Sequence, residues 1–384
     1  MECSITNTAL FRSGFRPFFL LGGVFGLLAV AYFILLMSGA VEFFPSTWDV
    51  IAWHRHEMLF GYAGAIVAGF LLTAVPNWTG QSTPTGLGLA LLVALWVAGR
   101  LALLTSAYFP ASLVAIVDVM FFLVCAAGIL PALMRSKNSR NYFFVVLLTL
   151  LALANGMTHF GNADTGILLG LGIITLMMVV IGGRVIPFFT EKPLGLSIRR
   201  DARLDRIVIL STIAPLALEI FGVTGALTGW LFVLAVLAHG WRLSQWQSMK
   251  TLGTPLLWIL HVGYAWLVIG FFLKAGYHLG LPIPSTLATH ALTAGGIGSL
   301  TLGMMARVSL GHSGRPLEVG GPMMIAFICI TLAAIFRVFG VLFFPDLAQR
   351  WWEAASLFWM LGLSIFVVVY IPVLTRPRLD GRDG

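Results

Sequence analysis

The sequence predicts an all-α protein, a polytopic membrane bundle of about twelve transmembrane helices with both termini cytoplasmic. Three observations carry this. Of 384 residues, 59% are hydrophobic and only 10% are charged, where a soluble domain carries about 25% charged residues. The mean hydropathy is +0.96, so the chain has too few charges to cover a surface in water. Its 12 Trp and 42 Gly fit interfacial anchoring and close helix approach. Disorder, a secreted disulfide scaffold and a DNA-binding domain are excluded.

A transmembrane helix needs roughly 20 mostly apolar residues. Twelve stretches qualify, at about 17–38, 57–75, 86–108, 111–133, 141–160, 165–184, 206–222, 225–239, 255–278, 285–306, 322–344 and 352–374. Short connections punctuated by Gly and Pro separate them, as in Val75-Pro76-Asn77-Trp78, Phe109-Pro110 and Leu281-Pro282-Ile283-Pro284. The longest predicted connection is Arg184–Arg206, too short for a domain, so residues 1–384 read as one transmembrane domain. The first stretch exceeds the apolar core of a secretory signal and reads as a retained helix. The first six spans and the last six share no repeated motif, which gives an inverted-repeat transporter no support.

Lys and Arg set the orientation. With a cytoplasmic N-terminus, the inner side holds Arg12 and Arg16, the groups around Arg135–Arg140, Arg184–Arg206 and Arg242–Lys250, then Arg307, Arg315, Arg376, Arg378 and Arg382. The outer side receives only Arg55, Lys274 and Arg350, while Arg100 and Arg337 fall within spans. The net charge of +8 is therefore a membrane-topology signal, and no nucleic acid partner is implied. Cys3, Cys125 and Cys329 form no CxxC pair, which removes thiolate metal sites and covalent haem attachment.

Ionisable groups inside a membrane are functional candidates by default. On this topology His54, His56, His159, His278 and His290 lie near the outer ends of four helices, His239 and His312 at the inner face, and His261 two turns in from that face. Imidazoles converging on one layer are how a haem or copper site is built between helices. The run Trp53-His54-Arg55-His56-Glu57-Met58 is the sharpest feature. With His54 still outside the helix, His54 and His56 converge on one copper ion, and Glu57 orients a ring or carries protons. The alternative is interfacial capping of the second span, with Trp53 as anchor.

Asn155 and His159, four residues apart, share a face. His290 begins a span whose Ala291, Gly295, Ser299 and Gly303 form a small-residue stripe. The stripe serves either close helix packing or the flat face of a porphyrin, with His290 as axial ligand. His261 is either a satisfied core histidine or a ligand or relay residue. Arg184 and Arg307, at inner helix ends, either snorkel or fork onto a carboxylate such as a haem propionate. Asp118 and Glu219 are candidate partners for Arg100 or members of a proton path.

These segments resemble the NnrS family of bacterial inner-membrane proteins, described as carrying haem and copper and acting in nitric oxide and nitrosative-stress responses. The resemblance runs over essentially the whole chain. It includes Phe15-Arg16-Pro17-Phe18-Phe19, Trp53 through Gly61, Gly183-Arg184-Val185-Ile186-Pro187-Phe188-Phe189-Thr190, His290-Ala291-Leu292-Thr293, and Met304 through Gly311-His312-Ser313-Gly314-Arg315-Pro316. Ser313 stands where Thr is as common, and the hydroxyl is kept.

The resemblance implies haem b, copper and a role connected to nitric oxide, in a multi-pass protein of the bacterial inner membrane. The residue expectations are His54 and His56 on copper; His290, His159, His261, Arg184 and Arg307 around haem; Glu57 as catalytic proton donor; and His312 as an additional matched position. The expected partners are nitric oxide or another small diatomic, the lipid bilayer, and quinol or a periplasmic cytochrome as electron donor. The expected activity is that of a candidate oxidoreductase that binds and reduces nitric oxide. The alternatives are a metal or proton-coupled transporter that uses its histidines, and a sensor that binds nitric oxide without turnover.

Overall fold

The computed structural model describes residues 8–381; Cys3 and Arg382 lie outside them. Among these residues there are no strands, and twelve long helical runs account for the chain. They are α1 (Phe15–Met37), α2 (Val50–Thr79), α3 (Gly86–Leu104), α4 (Ala111–Arg135), α5 (Phe143–His159) and α6 (Ala163–Leu194), followed by α7 (Ala202–Ile220), α8 (Ala226–Ser244), α9 (Pro255–His278), α10 (285–312), α11 (Gly321–Phe343) and α12 (Ala348–Thr375). Ten runs are long and apolar enough to cross a membrane. The other two are α7, which carries Arg203, Asp205, Arg206 and Glu219, and α10, rich in Gly, Ser and Thr. The protein is a multi-pass helical membrane protein.

The helices form two compact units. One comprises the chain to Gly170 with Met305–Leu317 and the chain from Phe366; the other comprises Leu171–Met304 and Glu318–Ile365. In the first, α1 packs on α2, α3 on α4 and α4 on α5; in the second, α9 packs on α8 and on the first half of α10.

Two helix boundaries differ from the sequence expectation in ways that matter. α2 starts seven residues earlier than predicted because Asp49 accepts the Ala52 N–H (2.8 Å) and nucleates a turn. His54 is therefore helical, and the non-helical His54 expected for a shared ion is not found. α6 runs to Leu194 through Pro187, so the predicted connection from Arg184 shrinks to 195–201. A proline inside a span is tolerated where neighbours satisfy the freed carbonyl. Beyond that short loop, Asp201 caps α7 by accepting N–H groups of Arg203 (2.8 Å) and Leu204 (3.4 Å), which hold its carboxyl below the usual carboxylate range.

Three segments are wound as π-helix: Glu57–Ala63 in α2, Ala291–Ile297 in α10 and Phe336–Gly340 in α11. Such turns insert an extra residue into the helical ladder and recur at functional sites. Two of them begin directly after a histidine, His56 and His290.

Arg16 fixes the end of α12 within the first unit. Fully buried, it donates through Nη1 to the carbonyls of Leu374 (3.0 Å) and Arg376 (2.7 Å), among the last acceptors of that helix. Arg16→Met leaves these carbonyls unsatisfied and is expected to cost about 2–4 kcal/mol. A lowered melting midpoint in detergent shows this, and an unchanged midpoint contradicts it.

Candidate metal centre

The centre is built from α2, α3, α4, α5 and the loop before α2, all within the first unit. The start of α2 sends its two histidines to different neighbours. His54 stacks on Phe33 of α1, with ring centroids 3.9 Å apart and planes at 22°. His56, wholly buried, faces α4 and α5. Its Nε2 lies 2.7 Å from Asn155 Oδ1 and 3.0 Å from Asp118 Oδ2. Arg55 pairs with Asp164 at the exposed surface (2.7 Å).

Asp118, the eighth residue of apolar α4, is the hub. Arg100 of α3 donates through Nη2 to Asp118 Oδ1 and through Nη1 to Glu57 Oε2 (2.7 Å). The other oxygen, Oδ2, stands 3.0 Å from the Nε2 atoms of both His56 and His159. His159 comes from α5, one turn beyond Asn155, so the shared face read from the sequence is the face that lines this site. Trp48 closes the cluster edge-on, 5.0 Å from the His56 ring and 5.2 Å from the His159 ring. The Trp48 loop is itself pinned by Ser46 and Thr47 on Ser106.

The π turn makes this arrangement fit. It follows His56 at once and carries Glu57, and its displaced Gly61 carbonyl accepts Trp96 Nε1–H (3.1 Å). A Cβ on Gly61 would sit 2.6 Å from Glu57 Oε2 and 3.0 Å from Arg100 Nη1. Only glycine lets the Glu57–Arg100 pair close at this point.

His56, Asp118 and His159 each offer a donor atom, and the three lie within 4.8 Å of one another. Two imidazole nitrogens and one carboxylate oxygen suit copper, iron or zinc. The charge balance points the same way. Two carboxylates face one guanidinium, so with neutral imidazoles the cluster is one positive charge short. His56 Nδ1, Glu57 Oε1 and Asn155 Nδ2 are buried without hydrogen-bond partners, and such atoms are costly in an apolar interior. The residues fit a metal ion.

The remaining sequence-selected residues lie elsewhere. His261 has both ring nitrogens satisfied by hydroxyls, Thr190 at 3.0 Å and Ser248 at 2.8 Å. His239 is likewise held between Thr212 (2.9 Å) and Tyr264 (2.7 Å). Glu219 pairs with Lys274 (2.6 Å) and His278 (2.8 Å) in the second unit, so Asp118 is the acid that took Arg100. His312 packs beside Phe15, its ring 5.8 Å away, and its carbonyl accepts from Arg378. Arg307 is buried and Arg184 half-buried.

His290 Nδ1 lies 2.7 Å from the Thr286 carbonyl. A carbonyl only accepts, so Nδ1 carries the proton and Nε2 is the basic nitrogen. The small-residue stripe beyond His290 is helix-packing surface. A Cβ on Gly295 would meet Trp266, and one on Gly303 would meet Ile259 and Leu260, all on α9.

Sequence reading missed Asp118 as the hub and Trp48 as the cover. The available signal for Asp118 was an isolated acid in an otherwise apolar span, beside a span with an isolated arginine.

The fold and this cluster define a polytopic membrane protein with a buried histidine–carboxylate centre competent to hold a metal. The chain matches the family model described as NnrS protein over residues 9–378, and it belongs to the NnrS family. That places it among membrane proteins of the nitric oxide response. No curated protein matches it.

Because Asp118 serves Arg100 and two imidazoles while Glu57 directly serves Arg100, the two acids are unequal. Asp118→Asn is expected to cost about 3–5 kcal/mol, and Glu57→Gln clearly less. Thermal unfolding of both variants in one detergent checks the order; equal shifts, or a larger shift for Glu57→Gln, contradict it.

Proposed function

We propose that this protein binds nitric oxide at a transition-metal centre held by His56, His159 and Asp118. The observation that carries the reading is one carboxylate oxygen, Asp118 Oδ2, standing 3.0 Å from two imidazole nitrogens of different helices. A cation there would replace protons now shared along those contacts and would supply the missing positive charge. Copper is the metal the family suggests, and the donor set accepts it. When bound, the metal supplies a coordination position for a small diatomic and, if a donor delivers electrons, a redox partner for it.

The surrounding residues have separable tasks. Arg100 holds Asp118 by its other oxygen, which keeps Oδ2 turned toward the histidines. Glu57 Oε1 lies 3.5 Å from His56 Nδ1, within reach for orienting that ring once a hydrogen bond closes. For a reductive reaction, the same carboxylate is the nearest group placed to relay a proton. His54, stacked on Phe33, contributes to packing at the start of α2. Nitric oxide is small and weakly polar and needs no aqueous channel, because it dissolves in the lipid around the helices.

The haem reading rests on His290. Its tautomer leaves Nε2 as the basic nitrogen, as an axial ligand requires. His261, with both nitrogens bonded to hydroxyls, is assigned a structural role. The proposed location is the bacterial inner membrane. Quinol or a periplasmic cytochrome is the proposed electron source.

Metal analysis and optical spectra of detergent-purified protein test the assignment. The expected result is about one copper per chain in wild type, since one three-donor cluster offers one ion site, and a b-type haem spectrum altered by nitric oxide. His56→Ala, His159→Ala and Asp118→Ala should each lose at least about ninety per cent of the copper, as removal of one of three donors demands. His54→Ala should retain copper, and His290→Ala should lose haem while keeping copper. Copper retained in His159→Ala, or lost only in His54→Ala, overturns the ligand set.

A further inference from the structure

The last four helices repeat the plan of the first four. α1–α4 and α9–α12 have matching order, and the second helix of each set opens with a short α-helical segment ending in a histidine, His56 or His290. Each histidine is followed at once by a π segment of seven residues, and in each segment a glycine falls five residues after the histidine, Gly61 and Gly295. Each following helix carries one arginine inside the span, Arg100 in α3 and Arg337 in α11. The related helices stand eight apart in chain order, so the two halves of the chain do not align with one another.

The two arginines differ in what balances them. Arg100 is neutralised by Glu57 and Asp118. In the repeat, Ala291 stands at the position of Glu57. Among the described residues no carboxylate lies within ion-pairing distance of Arg337. Its guanidinium lies 5.4 Å over the Trp352 ring. It is half-buried, on a π segment, in a helix whose neighbouring residues are apolar. Leu287, Ala288 and Ala291 pack into one cluster with Ala334 and Val338, which sets the His290 turn against the Arg337 turn. A guanidinium in a span without a counter-charge is a functional site by default.

We propose that Arg337, with His290 on the adjoining turn, forms a second ligand site that takes an oxyanion, a carboxylate or phosphate borne by an amphiphilic molecule. The ligand supplies the negative charge that Glu57 and Asp118 supply in the first unit. A planar guanidinium forks onto such groups in bidentate fashion. The Trp352 ring that the guanidinium covers suits an apolar body attached to the anion. Two sources carry this chemistry, a porphyrin carboxylate and a lipid headgroup phosphate. The inference rests on the haem part of the proposed function only for the first source.

Paired probes on detergent-purified, haem-free protein separate the sources. Haem and its dimethyl ester are titrated optically, and phosphatidylglycerol and phosphatidylcholine adducts are compared by native mass spectrometry. Arg337→Gln is expected to weaken the anionic member of one pair at least about tenfold, as loss of a charged fork implies, and to leave its uncharged or zwitterionic counterpart unchanged. Loss in the haem pair identifies the porphyrin carboxylate, and loss in the lipid pair the phosphate.

Arg337→Lys should fall between wild type and Arg337→Gln. Ala291→Glu restores an internal carboxylate and should weaken the same probe with Arg337 intact. Copper content at the His56 centre reports on the first unit in every variant. Its absence from wild type would reject the copper reading and leave the probe comparison intact. If wild type shows no preference for the anionic member of either pair, or if Arg337→Gln and Ala291→Glu bind both pairs as wild type does, the oxyanion site is rejected.

Discussion

The ion pair between Arg100 and Asp118 is the interaction on which the first unit depends. A lone carboxylate or guanidinium in the middle of a membrane helix is expensive, and each is retained because the other is there. The pair joins α3 to α4, and Glu57 on the same guanidinium adds α2. Once Asp118 Oδ1 is committed to Arg100, Oδ2 has a fixed direction, and the imidazoles from α2 and α5 meet it. Four helices are thus registered against one carboxyl group. The same contacts that neutralise charge in the apolar interior leave a donor set of the right chemistry for a metal.

Geometry at the start of α2 shows how local backbone shape serves that centre. An uninterrupted α-helix separates adjacent side chains by about 100°, which would turn Glu57 away from the pocket His56 enters. The π turn beginning at Glu57 relaxes this, and Gly61 leaves room for the guanidinium against its outer surface. The price in helix regularity is small beside a carboxylate left unpaired. A comparable turn after His290 occurs without acids, and there the arginine of the next helix rests on an indole. One helical plan is thus used twice with opposite charge balance: the first unit meets its arginine with carboxylates from the chain, and the second leaves that task to a ligand.

Much of the architecture was legible in the chain because membrane burial imposes few options. Backbone groups in lipid must bond within a helix, so an apolar stretch of sufficient length becomes a helix, and twelve stretches became twelve runs. Helix ends were less legible. α2 began earlier because a single side chain, Asp49, supplied an acceptor, and α6 ran on through Pro187, which the spacing places in a connection. For the site, His56 and His159 stood out as polar residues where apolar ones were expected, and Asn155 was correctly associated with His159 by helical spacing. The His54–His56 pair misled because spacing of two suggests convergence only if one member is outside the helix.

By itself the sequence determined that this is a multi-pass helical membrane protein of the NnrS family. Composition, span length and motif order suffice for that, since each acts locally or along the chain. Only the tertiary structure decided which acid meets Arg100, which side of α2 each histidine takes, and that Asp118 gathers two imidazoles. Those outcomes turn on helix rotation and on distances between residues far apart in sequence. A rotation of one helix by a single residue would replace His56 with Arg55 or Glu57 at the same wall, and nothing in linear spacing fixes that angle.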